Sequence, residues 1–189
     1  MALPDYVAFA GSHRVGAGSL AQVAMAAKRA GADRANAVLV FDAATGQVVD
    51  LDLRGTFAEI ATRHAAGPPQ VARRGRPKLG VTSREVTLLP RHWEWLARQP
   101  GGASAAIRRL IEAARKANEP ADRMLHAREA AYRFMHAMAG DLPGFEEASR
   151  SLFRGDHVTL NRQMSPWPPD VRALIQDMLR PAPPSVAEG

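Results

Sequence analysis

Basic side chains and a stiff backbone meet in the stretch RRGRPK, residues 73–78 of this 189-residue chain. Arg73, Arg74, Arg76 and Lys78 surround a glycine and a proline. Guanidinium and ammonium groups bind phosphate oxygens, the glycine lets the backbone approach a surface closely, and the proline keeps the chain extended. The spacing therefore favours contact with a polyanion, and a solvated basic linker is the alternative with the same composition.

The positive charge of the chain is concentrated around this stretch. The formal net charge is +6 at pH 7, and residues 71–118 alone contain 11 Lys and Arg against 3 Asp and Glu, a net charge of +8. Residues 1–70 are neutral with 6 of each, and residues 119–189 have 8 against 10, a net charge of −2. One basic block in the middle of a chain is typical of a polyanion-binding surface.

The remaining composition restricts the class of protein. The absence of cysteine excludes disulfides, cysteine zinc sites and cysteine nucleophiles. A hydrophobic content of 46% is sufficient for a packed core. The N-terminal residues do not resemble a signal peptide, and no apolar run approaches the roughly 18 residues of a membrane-spanning helix. We therefore expect a soluble cytoplasmic protein without membrane contact.

The order Arg-Gly-Arg-Pro at 74–77 resembles the core of an AT-hook, a short peptide that lies extended in the minor groove of A·T-rich DNA. The narrow minor groove of such DNA has a strong negative potential that attracts arginine. The resemblance implies that Arg74 and Arg76 lie in the minor groove, with Arg73 and Lys78 contacting the DNA beside them.

The next stretch, SREVTLLPRHWEWLARQPGGASAAIRRLIEAARK at 83–116, predicts a strand, a helix, a glycine turn and a second helix. Pro90 ends the strand, the first helix is predicted over 91–99, and the second begins at Ser104. A strand this short is not stable alone. The stretch must therefore pair with a second copy or act as a plain strand-helix-helix scaffold.

This order, with LLP before the first helix and SAAIRRLIEAA in the second, resembles the ribbon-helix-helix family of bacterial DNA-binding proteins. In that family two chains pair their strands into a ribbon that enters the major groove. The resemblance implies a homodimer on double-stranded DNA, in which Arg84 and Arg91 meet phosphates or base edges. It also implies that the amide end of the second helix at Ser104, with Arg108, holds a backbone phosphate.

Over most of its length the chain also resembles a bacterial family known as a domain of unknown function, through AFAGSHRV, TGQVVDLDLRG and AMAGDLPGFEEA. That resemblance implies no activity. Because the two DNA-binding patterns adjoin inside the basic block, the sequence favours a DNA-binding transcription regulator or nucleoid-associated protein. We expect no enzymatic activity, no cofactor and no metal.

The elements around the basic block predict an α+β fold. The N-terminal part has the predicted order β-α-β-β-α, and Thr56 and Glu59 form a capping box for its last helix. The predicted elements there are strands at 6–10, 36–42 and 47–53 and helices at 20–30 and 56–65. Beyond the basic block, helices are predicted at 121–140, 145–155 and 157–164, and a last helix is predicted with Pro169 early in it. The predicted regions are a small α+β domain at 1–66, a basic Pro/Gly linker with the AT-hook-like arm at 67–82, a ribbon-helix-helix-like module at 83–118, a helical region at 119–180 and a disordered tail at 181–189.

Two other functions remain as alternatives. The glycine-rich stretch GSHRVGAGS after the first strand has the composition of a phosphate-binding loop, with His13 and Arg14 as polar contacts. A small nucleotide enzyme or sensor would use this loop, and Asp42, Asp50 and Asp52 would be its magnesium ligands. An ordinary loop and a solvated strand face explain the same residues. A protein-binding adaptor built on the acidic C-terminal helices is the second alternative.

Overall fold

A computed structural model of the chain describes residues 3–31, 38–65 and 84–180. The chain divides into two compact units. The first unit is built from both ends of the chain, Met1–Pro68 and Arg123–Gly189, and the second from Pro69–Asp122. The regions 1–66 and 119–180, which the sequence separates, therefore contribute to the same unit.

A three-stranded antiparallel sheet in the order β2-β1-β3 forms the middle of the first unit. Its strands are β1 (Tyr6–Ala10), β2 (His13–Gly18) and β3 (Val38–Asp42). The order of elements differs from the prediction, because the glycine-rich residues 13–18 form a strand beside β1 and not a loop. Gly16 makes this possible, since a Cβ there would collide with the side chain of Ala26. The predicted strand at 47–53 is reduced to a single bridge between Phe41 and Val48.

The described residues contain seven helices, so the protein is mixed α+β and mostly helical. The helices are α1 (Leu20–Gly31), α2 (Phe57–Ala65), α3 (Pro90–Ala97), α4 (Gly102–Ala139), α5 (Phe145–Arg154), α6 (His157–Gln163) and α7 (Pro169–Met178). The predictions for α1, α2, α5, α6 and α7 are confirmed to within a few residues. None of the helices in the described parts of the chain combines the length and apolar composition that crossing a membrane requires.

The sheet has an apolar core on each face because side chains alternate along a strand. Val7, Phe9 and Phe41 point to one face and are completely buried, together with Phe134 of α4 and residues of α5, α6 and α7. The ring of Phe134 lies 5.4 Å from that of Phe9 and 4.9 Å from that of Phe41. On the other face, Ala8 and Val40 pack against α1.

The second unit, as far as it is described, consists of a segment without regular secondary structure at 84–89, helix α3 and the first part of α4. Residues 84–89 are neither helix nor strand in the single chain. The pairing of this segment with a second copy stays a prediction. A strand needs a partner to complete its hydrogen bonds. The sequence also predicts separate helices on the two sides of Pro120, whereas α4 continues through this proline.

Candidate nucleic-acid interface

The basic arm of the predicted interface lies outside the described residues. This applies to four of the eight predicted DNA contacts, namely Arg73, Arg74, Arg76 and Lys78. The other four, Arg84, Arg91, Ser104 and Arg108, all belong to the second unit, and all four are exposed to solvent.

Arg84 lies on the segment at 84–89, and Arg91 lies on α3. Leu89 has an extended backbone, with φ of −66° and ψ of 149°, and Pro90 occupies the first position of the helix. Proline suits this position because its fixed φ matches the helix and its missing N–H is not needed there. Arg91 therefore lies in the first turn of α3, next to the exposed segment that carries Arg84.

A glycine turn joins α3 to α4 and positions Ser104 and Arg108. Gly101 and Gly102 have φ of 80° and 73°, values that favour glycine. Helix α4 begins at Gly102, two residues before the predicted start, so Ser104 is its third residue. The first amides of a helix have no acceptor within it, so they are available to an anion. The guanidinium of Arg109 holds the turn, donating to the carbonyl of Pro100 at 3.0 Å.

The second unit has exposed cations that are not engaged elsewhere. In the described part of this unit, five exposed cations have neither an ion pair nor a side-chain hydrogen bond: Arg84, Arg91, Arg98, Arg108 and Lys116. By contrast, Arg115 is paired with Glu112 at 2.9 Å. A cation without an ion pair can bind a phosphate without first losing a partner. Arg98 and Lys116 were not among the predicted contacts, and only their place in the basic block indicates them.

The same part of the chain exposes large apolar side chains. Val86, Leu89, Trp93 and Trp95 expose between 42% and 54% of their surface. Within the described residues of the unit, Leu96 and Ala106 are buried. Exposed apolar groups mark sites of association only where they form one contiguous patch. The described part of the second unit therefore exposes both cations and large apolar side chains.

The residues of the phosphate-loop hypothesis are arranged differently from the prediction. His13 and Arg14 lie on strand β2, and the backbone amide of Arg14 donates to the carboxylate of Asp170 at 2.9 Å. A strand whose amides face β1 or a carboxylate does not form the concave ring of amides that cradles phosphate. Strand β2 therefore replaces the phosphate-binding loop that the nucleotide hypothesis requires.

Two of the three aspartates of the magnesium hypothesis hold local structure instead. Asp42 accepts from the amide of Thr45 at 2.9 Å in a turn. Asp52 accepts from the guanidinium of Arg54 at 2.9 Å, and this bond holds the pKa of Asp52 well below its usual range. Within the described ranges, no three His, Asp or Glu side chains meet as metal ligands.

Fold and site together define a small α+β protein whose second unit carries exposed basic and apolar side chains on two helices joined by a glycine turn. The chain belongs to a family of uncharacterized proteins conserved in bacteria, DUF2239, whose family model matches residues 5–179. Searches of the curated proteins and of the solved structures found no match. The ribbon-helix-helix resemblance therefore rests on the sequence alone.

Proposed function

We propose that the protein binds double-stranded DNA as a dimer through residues 73–108, as a transcription regulator or a nucleoid-associated protein. The observation that carries the proposal is the set of exposed cations without ion pairs around the α3–α4 turn. Such cations neutralise phosphates and release counterions, which is the main source of affinity for DNA. Binding of this kind implies a location at the nucleoid.

Each part of the second unit has a distinct role in the proposed complex. The amide of Ser104 and the side chain of Arg108 bind one backbone phosphate at the start of α4, where the helix dipole is positive. Arg84 and Arg91 contact further phosphates or base edges. Arg74 and Arg76, with Arg73 and Lys78 beside them, read A·T-rich DNA in the minor groove.

Fluorescence anisotropy with an A·T-rich duplex tests the proposal. We expect affinity to fall steeply between about 50 and 200 mM salt. Arg108→Ala should lower the slope of log affinity against log salt by about 1, because one phosphate contact is lost. The double variant Arg74→Ala/Arg76→Ala should weaken binding by at least about tenfold, and more for A·T-rich than for G·C-rich duplexes.

Arg150→Ala is the matched control. Arg150 is an exposed arginine of the first unit, and its ion pair with Glu147 at 3.3 Å makes it a poor phosphate ligand. This variant should bind DNA as the wild type does. Equal affinities for the wild type and all three variants, or affinity that does not change with salt, would show that these residues do not bind DNA.

A further inference from the structure

Helix α3 carries two tryptophans on different sides. Successive residues of an α-helix are turned by about 100° around its axis, so Trp93 and Trp95 lie about 160° apart. Leu96 is the buried residue of this helix, and Trp93 lies nearer to it around the axis than Trp95 does. Trp95 exposes 50% of its surface and Trp93 exposes 42%. Of the two, Trp95 is therefore the ring on the solvent side of α3.

The indole of Trp95 has an open face. Within the described ranges of the chain, this ring contacts no other aromatic ring and no cation. By contrast, Trp167 is buried, and its N–H donates to the carbonyl of Pro143 at 2.8 Å. The backbone of Trp95 is held in place, because its carbonyl accepts from the amide of Arg98 at 3.2 Å and from the side chain of Gln99 at 3.3 Å. A positioned ring therefore presents its flat face to water.

Two cations share the side of α3 that carries Trp95. Arg91 lies four residues before Trp95 and Arg98 three residues after it, so the three side chains fall within about 60° around the axis. The backbone stays helical as far as Arg98, which has φ of −85° and ψ of −4°. Both arginines are exposed, and among the residues that the structure describes neither has an ion pair. The open ring therefore lies between two guanidinium groups that are available to a ligand.

The one carboxylate of α3 does not reverse the charge of this side. Glu94 lies about 100° around the axis from Trp95, beyond Arg98, and neighbouring residues of a helix do not face each other. Even with Glu94 counted, Arg91 and Arg98 leave the helix with a net charge of +1. The cations, and not the carboxylate, therefore share the side of the ring.

A ligand that matches this side of α3 needs a flat π-system with an anionic group on each side of it. A nucleotide within a strand has this form, since its base adjoins two phosphates. Bases of single strands stack on aromatic side chains without regard to sequence, while cations follow the phosphate backbone. In a duplex the bases cover each other's faces, and exposing one costs the energy of unstacking. The matching ligand is therefore an unpaired strand.

We propose that Trp95 stacks on a base of single-stranded DNA, while Arg91 and Arg98 bind the phosphates on either side of that base. The α-carbons of the two arginines lie about 10 Å apart along the helix, with Trp95 between them. The inference goes beyond the duplex binding proposed above, because a duplex does not offer the face of a base. It assigns the unpaired strand to DNA because Arg91 also belongs to the proposed duplex interface.

Tryptophan fluorescence tests the stacking directly. The chain has three tryptophans, and Trp167 is buried in the first unit. An oligothymidine of about 12 nucleotides should quench the fluorescence of the wild type, because a base that stacks on an indole quenches it. An abasic oligomer of the same length has the same phosphates without bases. It should bind at least about tenfold more weakly and leave the fluorescence unchanged.

Two leucine variants separate the ring of Trp95 from the rest of α3. Trp95→Leu should bind oligothymidine about tenfold more weakly and lose most of the quenching, because leucine cannot stack on a base. Its affinity for the abasic oligomer should equal that of the wild type, which a merely structural role of Trp95 would not produce. Trp93→Leu makes the same change on the other side of the helix and should retain both affinity and quenching.

Folding is controlled in the same series of variants. Leucine favours helix more than tryptophan does, so both leucine variants should keep the circular dichroism spectrum of the wild type. Trp95→Phe keeps an aromatic ring at the position and should recover part of the affinity for oligothymidine that Trp95→Leu loses.

The outcomes separate this inference from the proposed function. Equal affinity of the wild type for oligothymidine and for the abasic oligomer, or equal losses in Trp93→Leu and Trp95→Leu, would overturn the stacking site. Tighter binding of an oligouridine than of oligothymidine would overturn its assignment to DNA. Binding of oligothymidine that depends on Trp95, without salt-dependent binding of a duplex, would support this inference and reject the proposed function. Duplex binding without quenching by oligothymidine would do the reverse.

Discussion

Gly46 ends the turn that follows β3, with a φ of 69° in the left-handed region. Asp42 holds this turn, because its carboxylate accepts from the amide of Thr45 and its carbonyl accepts from the amide of Gly46 at 2.8 Å. Gly46 is buried, and a Cβ there would overlap the carbonyl of Ala130 in α4. The sequence predicts the turn from local residue types. The close approach of α4 could not be predicted, because Ala130 is distant along the chain.

Gly46→Ala should therefore lower the free energy of unfolding by more than about 1 kcal/mol, through backbone strain and the collision with Ala130. Urea unfolding measures this loss. Gly31→Ala is the matched control, because a Cβ at the end of α1 meets nothing within 4 Å. Alanine favours helix, so this control should be as stable as the wild type or slightly more stable. A similar loss in both variants would contradict the packing of Gly46.

The helices could be predicted where local residues define their ends. Gly144 and Gly155, with φ of 84° and 73°, bracket α5, and Asp156 caps α6 by accepting from the amide of Thr159 at 3.0 Å. These signals act within a few residues, so they can be read from the sequence. The sequence does not predict strand β2, because its glycines are typical of a loop. Only pairing with β1 and contact with α1 make these residues a strand.

The capping box predicted at the start of α2 is confirmed, and it makes stability depend on pH. The carboxylate of Glu59 accepts from the amide of Thr56 at 2.7 Å, and the hydroxyl of Thr56 accepts from the amide of Glu59 at 3.3 Å. The backbone hydrogen bond from Thr56 lowers the pKa of Glu59. Because the folded pKa is lowered, this contribution is fully present above the unfolded pKa and is lost as pH falls through the folded value.

Glu59→Gln should consequently be less stable than the wild type at pH 7, where the charged cap is present. The difference between their urea midpoints should shrink as pH falls below about 4.3, the ordinary pKa of glutamate. Unfolding of both proteins across this pH range measures the effect. A difference that stays constant, or that grows in acid, would mean that the carboxylate does not cap α2.

At the scale of the whole molecule, the first unit joins elements from the two ends of the chain. The fold class and the composition of each end could be predicted, because apolar periodicity and turn residues are local. The joining of the two ends in one unit could not be predicted, because the burial of Val7 and Phe9 against α4 and α7 depends on contacts across more than half of the chain. The basic block lies between these ends in sequence and belongs to the other unit.

Phe41→Ala tests whether the two ends fold together. Phe41 is completely buried, with its ring 4.9 Å from that of Phe134 and 6.2 Å from that of Phe9. Its truncation should cost about 3–5 kcal/mol of stability. Because the sheet and the C-terminal helices share this core, amide hydrogen exchange should become faster in both β1 and α7.

Phe57→Ala is the control for this experiment, since Phe57 is 44% exposed and contacts Lys28 and Arg29 at the surface. Its truncation should cost less than about 1 kcal/mol, because exposed aromatic–cation contacts contribute little. If Phe41→Ala speeds exchange in β1 while α7 keeps its protection, the two ends unfold separately and the first unit is two independent modules. If both lose protection together, the N-terminal sheet and the C-terminal helices form one cooperative body.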